Sequence, residues 1–159
     1  LRGSPAVWEA GSVAMLRHLR LPDRTGHSHA EAAVSSPGRR QIILGGYSLA
    51  GLFALWASTQ TDLFYGIAAA SPSVWFPGWM EFEQRHPIQA QRVYLSLGDK
   101  EEHTKNAVMA AVGDNIRTLH SRLAERGTDC TLEWNSGGHF KDADLRTAKA
   151  FRWAMEERR

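Results

Sequence analysis

The chain has 159 residues, of which 43% are hydrophobic, and this is enough apolar material for one domain with a buried core. Its formal net charge is only +2, and acidic and basic residues alternate in most charged stretches, so the sequence indicates no basic stripe for nucleic acid. A single cysteine, Cys130, excludes an internal disulfide and a thiolate zinc cluster. No apolar run suits a membrane span or a secretion signal. We therefore expect a cytoplasmic protein without a membrane partner.

The first forty residues differ in pattern from the rest of the chain. They contain three of the six prolines together with many glycines and serines, and no strand-like run. Only residues 7–21 have the apolar spacing of a helix. From Gln41 onward the pattern becomes regular. We therefore divide the chain into an irregular segment over 1–40 and an α/β core over 41–159.

Strands alternate with helices throughout this predicted core. The sequence predicts strands over 41–45, 65–70, 92–97 and 130–134, and helices over 49–60, 80–86, 104–126 and 142–157. Because such alternation requires crossover connections, it predicts an α/β fold with a mostly parallel sheet and helices on both faces. Functional groups in such a sheet follow the carboxyl ends of the strands.

A serine follows the first predicted strand and precedes the first helix of the core. In a nucleophile elbow the residues two before and two after the serine nearly touch, so both must be very small. Gly46 and Ala50 occupy these positions around Ser48, with alanine in place of the usual second glycine. The alternative is an ordinary loop serine that caps a helix. The order of strand, small residue, serine, small residue and helix favours the elbow, with the Leu49 N–H as an oxyanion donor.

The loop after the second strand is rich in proline and tryptophan. It lies at the same sheet edge as Ser48 and is suited to wall an apolar acyl or aryl pocket. We assign Trp75 in this loop, and Tyr47 beside the serine, as candidate substrate-binding residues. Equally, Trp75 and Trp79 could simply cover the core.

Three carboxylates follow the third strand within one turn. A hydrolase acid frequently lies three residues after a glycine that ends a strand, and Glu101 has this relation to Gly98. We rank Glu101 first and Asp99 second as the acid that orients a catalytic base. A solvated loop is the alternative, since Glu102 and other charged residues lie beside them.

One of the seven histidines follows the fourth strand. His139 lies next to a Gly-Gly pair and before a helix, which favours a functional role as the general base that activates a serine. His27 and His29 form only an isolated H-x-H pair, so we predict no metal site. The chain order of serine, acid and histidine is the order of the α/β-hydrolase fold. No loop that would supply a second oxyanion donor is recognisable.

Four motifs in order resemble a known family over about residues 41–157. They are Gly46-Tyr47-Ser48-Leu49-Ala50-Gly51-Leu52, Ser71-Pro72-Ser73-Val74-Trp75, Leu95-Ser96-Leu97-Gly98-Asp99-Lys100-Glu101-Glu102 and Gly138-His139-Phe140. Together they resemble the esterase-D and enterochelin-esterase-like branch of the α/β-hydrolases. The resemblance implies a Ser-acid-His hydrolase that acts on a small-molecule ester without a cofactor.

The chain departs from this family before the elbow. Complete members carry several strands there, including the source of the second oxyanion donor, so we expect this chain to correspond to the carboxyl-terminal half with its first strands missing or divergent. Such a remnant would expose a sheet edge suited to homo-oligomer formation. Two alternatives therefore stay open: an inactive remnant that acts as a binding module, and an acyltransferase with the same triad.

Overall fold

The computed structural model describes residues 41–156. The expectations for residues 1–40, including the helix over 7–21, the divergent first strands and the His27/His29 pair, lie outside the described residues. The strands are β1 Ile43–Tyr47, β2 Gly66–Ala70, β3 Arg92–Gly98 and β4 Asp129–Asn135; the helices are α1 Leu49–Gln60, α2 Trp79–Arg85, α3 Ala107–Ala110, α4 Val112–Glu125 and α5 Ala143–Met155; and a 3₁₀ turn covers Glu101–His103.

The four strands form one parallel sheet in the order β1-β2-β3-β4. Because every crossover steps in the same direction and such crossovers are right-handed, α1, α2 and α4 lie on one face of the sheet. The last helix, α5, packs against β1, β2 and β3 from the other face. The structure thus confirms the predicted α/β fold with helices on both sides of a parallel sheet.

Small side chains allow α5 to lie close to the sheet. Ala68 and Ala70 lie on the same face of β2 and form a buried cluster with Tyr94 of β3 and with Ala150 and Ala154 of α5. All five are at most 2% exposed. This packing fixes α5 against the strands that carry the candidate functional residues.

Most predicted elements begin and end within two residues of the observed ones, and two differ most from the structure. The first strand was expected over 41–45 but covers Ile43–Tyr47, because Gly46 and Tyr47 continue the parallel pairing with β2. The single helix expected over 104–126 begins only at Ala107, where the Asn106 side chain caps α3 by accepting from the N–H groups of Val108 and Met109. A turn at Ala111 then separates α3 from α4. Among residues 41–156, no helix combines the length and apolar character that crossing a bilayer requires.

Candidate active site

Ser48 connects β1 directly to α1 in a strained backbone conformation. Its φ of 59° and ψ of −121° lie outside the regions that L-residues usually adopt, at a cost of about 1–3 kcal/mol. Main-chain hydrogen bonds hold this conformation. The Ser48 N–H donates to the Ala70 carbonyl over 3.1 Å, and the Ser48 carbonyl accepts from the N–H groups of Leu52 at 3.0 Å and Ser73 at 3.1 Å.

The residues that flank the serine are in the close contact that the elbow prediction requires. A Cβ atom added to Gly46 would lie only 2.6 Å from the Ala50 Cβ. Only glycine therefore fits at position 46, whereas the methyl group of Ala50 fits opposite it. The departure from the usual second glycine is accommodated by this asymmetry.

The His139 imidazole lies between Ser48 and Glu101. Its Nε2 is 3.0 Å from the Ser48 Oγ and its Nδ1 is 2.6 Å from the Glu101 Oε2. The loop that carries it follows β4 and contains Gly137 at a φ of 109°, which favours glycine. With 28% of its side chain exposed, His139 contacts both protein partners while keeping an accessible edge.

The Glu101 carboxylate is almost fully buried, with 5% of its side chain exposed. While Oε2 faces His139, Oε1 accepts hydrogen bonds from the Gly98 N–H at 2.7 Å, the Ser71 hydroxyl at 2.8 Å and the Arg146 Nη1 at 3.1 Å. Burial acts to raise the pKa of Glu101, but the hydrogen bonds from His139, Gly98 and Ser71 outweigh it and lower the pKa below that of an ordinary glutamate. The site therefore favours the ionised carboxylate.

The other two acidic residues of this turn have different partners. Asp99 is exposed, and its Oδ1 accepts from the Gly137 N–H over 2.7 Å. Glu102 forms a two-pronged pair with Arg117, and that hydrogen bonding lowers the pKa of Glu102. Of the two candidates for the orienting acid, Glu101 contacts the imidazole, whereas Asp99 holds the loop before His139.

Leu49 is the first residue of α1, and its side chain is 59% exposed. The N–H groups of a first helical turn have no acceptor within their own helix. The Leu49 N–H directly follows the serine, as the predicted oxyanion donor does in a nucleophile elbow, and this role stays a prediction.

The two predicted substrate-binding residues have different surroundings. The Tyr47 hydroxyl donates to the His139 carbonyl over 2.5 Å and accepts from the Arg146 Nη1 over 3.2 Å, so its partners are protein groups. Trp75 is half-buried with its ring beside that of Phe76, while Trp79 is 2% exposed and belongs to the core. Substrate binding by Tyr47 and Trp75 stays a prediction.

Sequence reasoning missed the polar groups that surround these side chains. Ser71 and Ser73 are both buried, and the Ser73 Oγ lies 3.3 Å from the Ser48 Oγ. Arg146 is 1% exposed. Its spacing of four and eight residues from Ala150 and Ala154 puts an arginine on the otherwise small and apolar face of α5, which is the signal that would have identified it.

Between residues 41 and 156, no three or more His, Cys, Asp or Glu side chains cluster as a metal ion would require. The arrangement of Ser48, His139 and Glu101 is instead one in which a proton can pass from a hydroxyl to an imidazole supported by a carboxylate.

No protein-family model matches the chain. No curated protein matches it either. Among solved structures, the chain is similar to the siderophore hydrolase EstA from Aspergillus nidulans, at 22% sequence identity and a TM-score of 0.50. The match covers 72% of this chain and 48% of EstA, so the chain spans about half the length of that structure. The likeness shows that the two share an α/β fold.

Proposed function

We propose that this chain is a serine hydrolase of the enterochelin-esterase-like branch, which cleaves carboxylic esters through an acyl-enzyme on Ser48. One observation carries the proposal: a continuous path from the Ser48 Oγ through the His139 ring to the Glu101 carboxylate, with steps of 3.0 and 2.6 Å. This path begins at a strained strand-to-helix turn. Such strain is typical of functional sites, and a serine without a function has little reason to adopt this backbone conformation.

In the acylation step, the Ser48 Oγ attacks the ester carbonyl carbon while the His139 Nε2 takes the hydroxyl proton. The Nδ1–H of the resulting imidazolium donates to the Glu101 Oε2, and this carboxylate stabilises the new positive charge. The Leu49 N–H donates to the oxygen that becomes negative. When the tetrahedral intermediate collapses, the C–O bond to the leaving alcohol breaks and His139 returns the proton to that alcohol.

In the deacylation step, a water molecule replaces the alcohol. His139 takes a proton from the water as its oxygen attacks the acyl carbon. Collapse of the second intermediate breaks the bond to the Ser48 Oγ, and the proton returns to this oxygen. The products are one alcohol and one carboxylic acid, and the enzyme regains its initial protonation state.

Apolar groups beside the reacting atoms support an ester with an apolar acyl or aryl part. The Phe140 side chain is 93% exposed, and its ring lies edge-on to that of His139 with 5.2 Å between the centroids. Leu49, which directly follows Ser48, is also exposed. The similarity to a siderophore hydrolase adds siderophore esters to the substrates worth assaying.

Turnover of 4-nitrophenyl acetate tests the proposal. We expect Ser48→Ala to lower kcat by about six orders of magnitude, to near background, because the nucleophile is lost. Ser121→Ala is the matched control, since Ser121 is an exposed serine on α4, and it should keep full activity. Turnover by Ser48→Ala at the wild-type rate would overturn the proposal.

The same experiment separates the two alternatives. An acyltransferase would convert the acyl group mainly to a new ester when alcohols are added, and product analysis would detect it. An inactive remnant would turn over neither the aryl ester nor siderophore esters and would leave the wild type and Ser48→Ala indistinguishable. Either result would contradict the assignment as an ester hydrolase.

A further inference from the structure

We infer that Arg146 and Tyr47 are positioning residues that hold His139 against Ser48 from two sides, the ring through Glu101 and the main chain through the Tyr47 hydroxyl. The inference rests on the proposed roles of Ser48, His139 and Glu101. It adds two residues that touch none of the reacting atoms.

Arg146 is the buried centre of this arrangement. Its side chain is 2% exposed, and its Nη1 lies 3.1 Å from the Glu101 Oε1, 3.2 Å from the Tyr47 hydroxyl and 3.3 Å from the Ser71 hydroxyl. Its Nη2 donates to the Ser136 carbonyl over 3.2 Å. A buried guanidinium needs acceptors and a counter-charge, and both terminal nitrogens of this one have acceptors, with Glu101 as the counter-charge, whereas its Nε has no hydrogen-bond partner among the described residues.

The guanidinium and the imidazole bind different oxygens of Glu101. Oε1 receives Arg146 and Oε2 receives the His139 Nδ1–H. With both oxygens engaged, the carboxylate cannot rotate without breaking a hydrogen bond. Arg146 therefore helps to set the orientation of an imidazole that it does not contact, together with the Gly98 N–H and the Ser71 hydroxyl, which bind the same Oε1.

The Tyr47 hydroxyl fixes the main chain of the same histidine. It donates to the His139 carbonyl while it accepts from Arg146, and the two rings lie 5.3 Å apart. Tyr47 immediately precedes Ser48 at the end of β1. This hydrogen bond therefore ties the loop of the base to the strand of the nucleophile, across 92 residues of sequence.

The histidine loop needs such external restraint. Gly137 and Gly138 precede His139, and glycine leaves the backbone free to adopt many conformations. Arg146 binds this loop at Ser136 and Tyr47 binds it at His139, so the two contacts lie on either side of the glycine pair.

The test compares Tyr47→Phe, Arg146→Lys and Arg146→Met with the wild type on 4-nitrophenyl acetate. We expect kcat to fall about tenfold in Tyr47→Phe and about a hundredfold in Arg146→Met, with KM nearly unchanged, because a small misplacement of the base slows proton transfer. Arg146→Lys should recover part of the loss by restoring the charge. The matched controls are Tyr65→Phe, before the opposite end of β2, and Arg152→Met, on α5 but 83% exposed.

A double-variant cycle with Glu101→Gln separates positioning from general structural damage. If Arg146 acts through the carboxylate, Arg146→Met should cost far less in the Glu101→Gln background than in the wild type. Fully additive losses in kcat would overturn the inference. A rise in KM at constant kcat for Tyr47→Phe would overturn it as well, since that result assigns Tyr47 to substrate binding.

A readout that needs no turnover keeps this inference distinct from the proposed function. The His139 Nδ1–H should give a low-field proton NMR resonance that disappears in His139→Ala and is lost or shifted in Tyr47→Phe and Arg146→Lys. If the wild type is inactive but this signal behaves as described, the proposed function fails and the positioning stands. If the wild type is active and neither kcat nor the signal changes, the positioning fails. Tyr47→Phe removes only one oxygen atom, so the test holds even where Arg146→Met does not fold.

Discussion

Two buried glutamates of this molecule are paired with arginine but differ in what else they contact. Glu83 on α2 is fully buried, and its two oxygens meet the guanidinium groups of Arg122 and Arg126 from the end of α4. Only one oxygen of Glu101 binds a guanidinium, that of Arg146, and the second oxygen contacts His139. Both carboxylates are buried, but Glu83 binds an arginine through each oxygen, whereas Glu101 has one oxygen that binds a histidine instead.

The difference teaches where chemistry can be expected. A buried carboxylate needs opposite charge and hydrogen-bond donors to offset its lost hydration. Two arginines supply both at Glu83, and these ion pairs connect α2 to the end of α4. At Glu101 one arginine, one hydroxyl and one N–H compensate Oε1, so Oε2 can support an imidazolium. A buried acid with one oxygen left for a histidine is a stronger indication of function than burial or an ion pair alone.

The largest expected difference between the two glutamates is in turnover. Glu101→Gln should lower kcat by about four orders of magnitude, because an amide cannot hold the imidazole in the required tautomer or stabilise its charge. Glu83→Gln should leave kcat unchanged and lower the free energy of unfolding by roughly 3 kcal/mol, since it leaves two arginines without their counter-charge. Kinetics and urea denaturation of both variants provide the measurement. Equal losses of kcat in the two variants would remove the distinction.

The pH dependence of stability gives a second, smaller contrast. Because folding lowers the pKa of Glu101, this group stabilises the protein above the ordinary glutamate pKa of about 4.3, and the contribution is lost as pH falls through the lower folded value. The difference in unfolding free energy between the wild type and Glu101→Gln should therefore shrink as the pH falls from about 5 toward 3. Glu81→Gln, an exposed carboxylate variant on α2, is the control. A difference that grows on acidification would contradict the direction of the shift.

The smallest effect is expected at Asp99, the other candidate for the orienting acid. Asp99→Asn should lower kcat less than about tenfold, because an amide oxygen can still accept from the Gly137 N–H and the imidazole keeps Glu101. Steady-state kinetics beside Glu101→Gln measures this. A loss at Asp99 larger than that at Glu101 would reverse the two roles.

Most of the fold was predictable from local sequence. The alternation of short β-branched or alanine-rich runs with longer helical stretches predicts a parallel sheet, and parallel strands bring their carboxyl ends to one edge. Ser48, Glu101 and His139 each follow such an end, and this is why three residues separated by up to 91 positions are within hydrogen-bond reach. The prediction of a nucleophile elbow depended on the small residues at positions 46 and 50.

The surroundings of these residues were not predictable in the same way. The spacing of Arg146 from Ala150 and Ala154 indicates that it lies on the buried face of α5, but its partners depend on how α5 lies across the sheet, which local sequence does not show. The Tyr47 hydroxyl likewise takes its partners from segments distant in sequence. The division of the helix expected over 104–126 is a different case. Asn106 is a good N-cap and marks the start of α3, but the division lies further along, at Ala111, where Ala110, Ala111 and Val112 do not interrupt the helical pattern of the sequence.

Labelling with a fluorophosphonate probe followed by peptide mapping tests the central claim most directly, because the probe reacts only with a serine that a neighbouring base activates. We predict a single adduct on the peptide that contains Ser48, no adduct in Ser48→Ala, and greatly slowed labelling in His139→Ala but not in the exposed variant His103→Ala. Equal labelling of the wild type and Ser48→Ala, or no labelling of the native protein, would contradict it.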